Sequence, residues 1–177
     1  MSIRFLSASE WRLLRSARLA ALRESPASFL STFAKERQYG EQHWQAELVH
    51  GAWLVGTGDG AAQALLGATR GADIPFADRY LSYLWVAPPA RGRGLGTKLV
   101  TEMLTHLRER EVAGVWLWVM DGNDAANQLY RKIGFESTGL RKPLPHDPSR
   151  IEERLLLKLP RPNTDVRQPQ AAERRLQ

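Results

Sequence analysis

The spacing of apolar positions changes several times along the chain, and each change predicts an element. Residues 2–6 (SIRFL) alternate well enough for a short strand. Ser7 followed three residues later by Glu10 is a capping-box pattern, predicting a helix over 8–24 with Trp11, Leu14, Ala17 and Ala21 at helical spacing. Ser25-Pro26 ends it, because proline disfavours a helical residue before it. A second helix is predicted over 41–50, and the irregular, polar and aromatic stretch 27–32 (ASFLST) between the two reads as a lid over a site. Strand spacing follows over 52–56 and 63–70, on either side of a Gly58-Asp59-Gly60 hairpin turn.

Residues 79–86 (RYLSYLWV) read as a central strand ending at Ala87-Pro88-Pro89. A glycine-rich stretch, Arg91-Gly92-Arg93-Gly94-Leu95-Gly96-Thr97, then leads into an amphipathic helix with Leu95, Leu99, Met103, Leu104 and Leu107 on one face. Residues 112–120 predict a strand with Trp116 and Trp118 on the same side, and 121–132 a helix closed by Gly134 as a left-handed cap. Residues 135–138 and 151–159 predict a final strand pair, separated by a proline-laden loop over 143–148. Beyond Pro160 the chain is almost without apolar residues and is expected to be a basic, disordered tail over 160–177, leaving one domain over 1–159.

Composition removes several classes of chemistry. At 177 residues, 43% hydrophobic and 25% charged, the chain is ordinary for one globular domain. It has no cysteine, hence no disulfide, no thiol nucleophile and no thiolate metal site, and its four histidines show no paired ligand spacing. No metal is expected. The start, MSIRFLSASEWRLL, lacks the apolar run of a signal peptide and nothing approaches a membrane span, so the expectation is a cytoplasmic protein without a membrane partner. The net charge of +6 admits nucleic acid, an acidic surface or a polyanionic ligand as partner. The four arginines of the tail stand beside Asp165 and Glu173 and the remaining charge is scattered, so no nucleic acid is expected.

The glycine loop concentrates the rest. Amides at a helix start have no partner within the helix and lie at the positive end of its dipole, so a loop without side chains there suits a phosphate. The loop lacks the third glycine of the dinucleotide fingerprint, since position 97 is threonine, and Thr97 separates Gly96 from Lys98 where a nucleotide-triphosphate loop needs them adjacent. A flexible linker is the plain alternative. Further on, Asn123 and Tyr130 are seven residues apart, so they share a helix face at roughly 10 Å along the axis, within reach of one long ligand. A capping asparagine and a packed aromatic are the alternatives there.

Arg91, Gly94 and Gly96 resemble the acetyl-CoA loop of the GCN5-related N-acetyltransferase (GNAT) family, with a preceding strand that ends Leu84-Trp85-Val86-Ala87-Pro88. The run from Asn123 to Phe135 (NDAANQLYRKIGF) resembles the family's later helix, in the same order and separation. The resemblance implies an α/β (α+β) GNAT fold: a central mixed, mostly antiparallel, twisted sheet of six or seven strands. About four helices would flank it, and it would splay between the fourth and fifth strands. It also implies acetyl-CoA as cosubstrate, bound by Leu84, Trp85, Val86, the loop residues Arg91, Gly92, Arg93, Gly94, Leu95, Gly96 and Thr97, and by Asn123 and Asn127. The implied reaction is direct attack of a neutral amine on the thioester; the long polar loop over 140–150 favours a closed site and hence a primary amine of a small molecule. A backbone amide near Trp85 or Val86 would meet the oxyanion, and Tyr130 would be the catalytic proton donor to sulfur.

The family often carries a glutamate in the strand before the loop. This chain has Tyr80-Leu81-Ser82-Tyr83 there, so the base stays open between Asp78, Glu152, Glu153, His146 and a water chain. The acceptor would lie among Phe29, Phe33, Tyr39, Trp44 and a long polar loop over 140–150. Two other readings remain: a protein amino terminus or lysine as acceptor, and a non-catalytic acyl-CoA sensor or scaffold. The state is expected to be monomer or homodimer.

Overall fold

The computed structural model describes residues 2–160, except 59 and 146. The strands are β1 (Ser2–Phe5), β2 (Ala52–Gly58), β3 (Ala61–Thr69), β4 (Arg79–Val86), β5 (Gly114–Met120), β6 (Glu136–Leu144) and β7 (Asp147–Lys158). The helices are α1 (Trp11–Glu24), the single turn α2 (Phe33–Glu36), α3 (Glu41–His50), α4 (Leu95–Glu109) and α5 (Asp124–Ile133). One seven-stranded sheet runs in the order β1-β2-β3-β4-β5-β7-β6, antiparallel throughout except for the parallel β4–β5 pair.

Two apolar layers hold helices on opposite faces. The larger buries Leu99, Val100, Met103, Leu104 and Leu107 of α4 against Leu54, Leu66, Val115 and Leu117 of the sheet. The other packs Leu14, Ala17 and Ala21 of α1 with Trp44 of α3 onto Trp53, Val55, Leu65 and Trp85. Each buried leucine contributes about 1.5–3 kcal/mol. On β5 the alternation is resolved as the period predicts: Val115, Leu117 and Val119 enter the core, and Trp116 and Trp118 stay half-buried on the other side.

Three local expectations shift. Ser7 N and Oγ both donate to Glu10 Oε2 at 2.9 Å, while Glu10 N donates to the Ser7 carbonyl and not to its hydroxyl; the turn they close precedes the helix, which begins at Trp11. The turn α2 was not anticipated; Thr32 caps it by accepting from Lys35 N. The proline-laden loop is instead a hairpin in which Pro143 pairs with Ile151 and Leu144 with Asp147. β6 is the outer strand, where a proline without an N–H can be accommodated. A bulge between Ser137 and Arg141, with Gly139 at φ +77°, absorbs the surplus residues, and the Thr138 hydroxyl donates to Arg154 O at 2.9 Å. Apart from Pro160, the expected tail lies outside the described residues. Among those described, no helix is long and apolar enough to cross a membrane.

Candidate functional site

β4 and β5 pair only at Arg79↔Val115 and Tyr80↔Trp116, then part. The cause lies in β4. Its register to β3 runs from Gly67↔Ser82 to Leu65↔Trp85, so Tyr83 and Leu84 together face Leu66. Tyr83 takes φ +64°, an uncommon value for a non-glycine residue, and so carries the extra residue of a bulge. The bulge also exchanges the strand's faces: Leu81 packs on the α4 side before it, Leu84 and Val86 after it, while Tyr83 and Trp85 turn to α1. The opening between the two strands is a cavity of about 310 Å³, reached by Leu84 from β4 and by Asn123 and Tyr130 from the α5 side.

Tyr130 is 7% exposed, with its ring edge-on to Phe135 at a centroid distance of 5.5 Å. Its hydroxyl makes no hydrogen bond to any described residue, and burial pushes the phenol well above its ordinary value. It therefore stands as a protonated donor beside the cavity. Asn123 caps α5, its Oδ1 accepting from Ala126 N at 3.2 Å, while its side chain also borders the cavity. Asn127 is used differently: its amide donates to Asn123 O and Met120 O, fixing α5 to the end of β5.

The loop before α4 leaves its backbone amides open. Gly92 and Gly94 have φ +73° and +75°, and a Cβ at either would project into open space. The first helical hydrogen bond runs from Lys98 N to Gly94 O, so the amides of Leu95, Gly96 and Thr97 have no partner within the helix, and no side chain caps it. At Gly96 a Cβ would stand 3.0 Å from Leu129 Cδ1 of α5, so the leucine would have to give way. Arg93 is exposed and unpaired among the described residues. Arg91 is occupied: its Nε donates to Val86 O at 2.8 Å and its Nη2 to Glu24 Oε2 at 2.6 Å. Glu24 also accepts from Trp85 Nε1 at 3.0 Å, so the Trp85 indole belongs to the α1 side, and neither Trp85 nor Val86 lines the cavity. The Ser25 hydroxyl, with Trp85 and Arg91, holds the Glu24 carboxyl below the usual carboxylate range.

The candidate bases separate clearly. Asp78 is buried away from the cavity, accepting from Trp116 Nε1 at 2.7 Å, with Gly114 leaving it room. Glu153 points to the other face of β7, towards Ser137 and Arg131. Glu152 alone of the three lines the cavity, 5% exposed, with Lys142 Nζ 3.4 Å from its Oε1. His146 lies outside the described residues. Of the expected acceptor aromatics, Phe29 reaches the cavity, whereas Phe33 lies under Arg23 and Tyr39 and Trp44 pack together in the α1 layer.

Two features escaped sequence reasoning. Arg18 is buried in the cavity wall, its Nε and Nη2 donating to both Glu36 oxygens at 2.9 and 2.7 Å. A signal existed: Leu14, Ala17, Ala21 and Leu22 bracket position 18 on the apolar stripe, where a charge needs a buried partner. Arg150 of β7 bridges the rim, donating to Ala27 O at 3.0 Å and to Met120 Sδ, which ties the 26–32 segment over the gap. No group of three or more His, Asp or Glu among the described residues could hold a metal ion.

The model of the acetyltransferase (GNAT) family matches residues 18–135. The mycothiol acetyltransferase of Thermobispora bispora is 43% identical over 65 residues, 37% of this chain and 21% of that protein. The N-alpha-acetyltransferase RimI of Mycobacterium tuberculosis is 32% identical over 93 residues, 52% of this chain and 57% of that protein. The chain thus spans between about a fifth and somewhat over half of these relatives. Among solved structures, the ribosomal-protein-S18-alanine N-acetyltransferase of Escherichia coli superposes with a TM-score of 0.67 at 20% identity, covering 93% of this chain and 97% of that one. A putative acetyltransferase of Salmonella typhimurium, solved with its cofactor acetyl-CoA, reaches 0.72 at 18% identity, covering 90% and 94%. These similarities extend to the seven-stranded mixed sheet and its parallel β4–β5 pair. The chain belongs to the GNAT acetyltransferase family.

Proposed function

We propose that this GNAT member is an acetyl-CoA-dependent N-acetyltransferase acting on a primary amine of a small molecule. The observation that carries the reading is the unbonded, protonated Tyr130 hydroxyl at the cavity where β4 and β5 part. Acetyl-CoA supplies an acetyl thioester, at whose carbonyl carbon the amine nitrogen forms a bond while the carbon–sulfur bond breaks. The chain's own contributions are three. The open amides of Leu95, Gly96 and Thr97, with Gly92, Gly94 and the exposed Arg93, receive the pyrophosphate. Leu84 and Asn123 line the gap along which the pantetheine arm would run, and the backbone of Trp85 and Val86 continues β4 from Leu84 towards the loop. Tyr130 gives its proton to the departing sulfur and recovers one as the amine nitrogen loses its own.

The size of the cavity supports a small acceptor, since about 310 Å³ sits at the lower end of small-molecule sites. A protein amino terminus is the second reading, supported by the 32% identity to a protein named as an N-alpha-acetyltransferase. The test is release of CoA thiol from acetyl-CoA over a panel of amino acids, polyamines, aminoglycosides and short peptides, with Tyr130→Phe as control. Turnover confined to peptides would replace the small-molecule reading. Acetyl-CoA binding without thiol release from any amine would mark a sensor instead.

A further inference from the structure

Among the described residues, four buried side-chain polar atoms have no hydrogen-bond partner: Arg18 Nη1, Ser31 Oγ, Glu152 Oε1 and Arg154 Nε. Three of these four residues line the single cavity between β4 and β5. Buried polar atoms are otherwise nearly all hydrogen-bonded in folded proteins, so three without a hydrogen bond around one space, of which only Glu152 Oε1 has an ion partner, Lys142 Nζ at 3.4 Å, describe the polar surface of a ligand.

Each wall asks for something different. Arg18 is 3% exposed: Glu36 takes the Nε–Nη2 edge of the guanidinium, which also lies over the Tyr83 ring at 4.2 Å and the Phe29 ring at 4.6 Å. The unused edge, Nη1, offers only N–H donors and needs an oxygen. Ser31 Oγ, on the segment that Arg150 ties down, stands on the same side as Phe29. From β7, across the gap, Glu152 Oε1 needs a donor; its neighbour Lys142 at 3.4 Å is half-exposed and rests on the Trp118 ring. The charges at the wall balance, Arg18 with Glu36 and Lys142 with Glu152. A balanced wall favours a ligand that carries one charge of each sign over a polycation.

We infer that the acceptor is a primary amine bearing a carboxylate, of the free amino-acid class. Its carboxylate accepts from Arg18 Nη1 and the Ser31 hydroxyl, and its amine donates to Glu152 Oε1. This specificity rests on the acetyl-transfer reading for the fate of the amine, but the recognition of the ligand does not.

The experiment compares each amino acid with the amine that its decarboxylation leaves, for example leucine with 3-methylbutylamine, and with a tripeptide of the same first residue. Initial rates of thiol release at saturating acetyl-CoA are measured together with calorimetric binding in its absence. The amino acid of at least one pair is expected to exceed its decarboxylated partner by about ten-fold or more in kcat/KM and in affinity, the worth of a charge-assisted hydrogen bond. Ser31→Ala and Arg18→Lys should shrink that ratio. Glu152→Gln should lower both members of the pair together, leaving the ratio intact, because the amine is common to them. Where Arg18→Lys fails to fold around Glu36, Ser31→Ala carries the test. A ratio near one in every pair, a preference for the tripeptides, or a ratio untouched by Ser31→Ala overturns the inference. If amines turn over without regard to the carboxylate, this specificity falls and acetyl transfer stands; if none turns over, acetyl transfer falls and the calorimetric ratio alone decides the specificity.

Discussion

Replacing Tyr130 by phenylalanine separates chemistry from packing, because the structure gives the hydroxyl no structural task. The ring is held by the core and by its edge-on contact with Phe135, all of which phenylalanine keeps. The hydroxyl has no hydrogen bond to lose, and a buried hydroxyl without a partner costs about 1–3 kcal/mol from mutational data, reduced here by its opening to the cavity. Stability should therefore stay level or rise slightly. Turnover should fall. A thiol has an ordinary pKa of about 8.5 and leaves more readily than an alcohol, so the donor's worth lies near the low end of acid catalysis. We expect kcat to drop by about ten- to hundred-fold, or ~1.4–2.7 kcal/mol, with acetyl-CoA affinity little changed. Thiol-release kinetics and urea denaturation of both proteins check the two halves. A fully active variant, or a rate loss matched by a loss of stability, would refute the assignment. The alkaline behaviour adds a second check. An unfolded tyrosine ionises near pH 10, whereas burial raises the folded value above that. Below pH 10 both states are neutral and the group adds no pH dependence. Above it the unfolded chain loses its proton first, so wild-type stability should decline with rising pH more steeply than that of Tyr130→Phe.

Gly94→Ala should cost about 1–2 kcal/mol, because an L side chain at φ +75° is strained. It should also raise the KM for acetyl-CoA by about ten-fold with kcat nearly unchanged, the signature of lost ground-state binding; unchanged KM would remove the loop from phosphate binding. In Gly114→Ala the new Cβ would stand 2.6 Å from Asp78 Oδ2, forcing Asp78 off Trp116. A loss of about 1–3 kcal/mol by chemical denaturation is expected, and native stability would show that Asp78 has another partner. Glu36→Gln leaves the Arg18 guanidinium buried without its counter-charge, and breaking such a pair costs about 3–5 kcal/mol. For a domain of this size that lowers Tm by roughly 10 °C, read by thermal melting; a shift of only a degree or two would mean that Arg18 reaches solvent.

The elements that could be read in advance are those set by neighbours in the chain. α3, β4 and the left-handed cap at Gly134, φ +106°, follow from apolar spacing and from glycine where the backbone turns positive. The glycine loop and the Asn123–Tyr130 spacing are equally local, which is why the family resemblance was legible; the parting of β4 and β5 was expected only as what that resemblance implies. The final strand pair was expected, but its continuation as a hairpin through 139–150 was not, because proline density argues for a loop until one knows that β6 is an outer strand.

The chain by itself therefore determined the order of its elements, the glycine loop with open amides and a tyrosine on the same helix face as Asn123, since each depends on bonds and dihedrals within a few residues. Tertiary structure decided what those parts surround. It turned Asp78 under Trp116 and Glu152 into the cavity, although both are acidic residues on or beside strands. It also brought Glu36 to Arg18, 18 residues away in the chain. Burial and pairing of a charge depend on which distant surfaces meet. The bulge at Tyr83 and Leu84 belongs to the same class, because a single unmatched residue shows only when a second strand is laid beside the first.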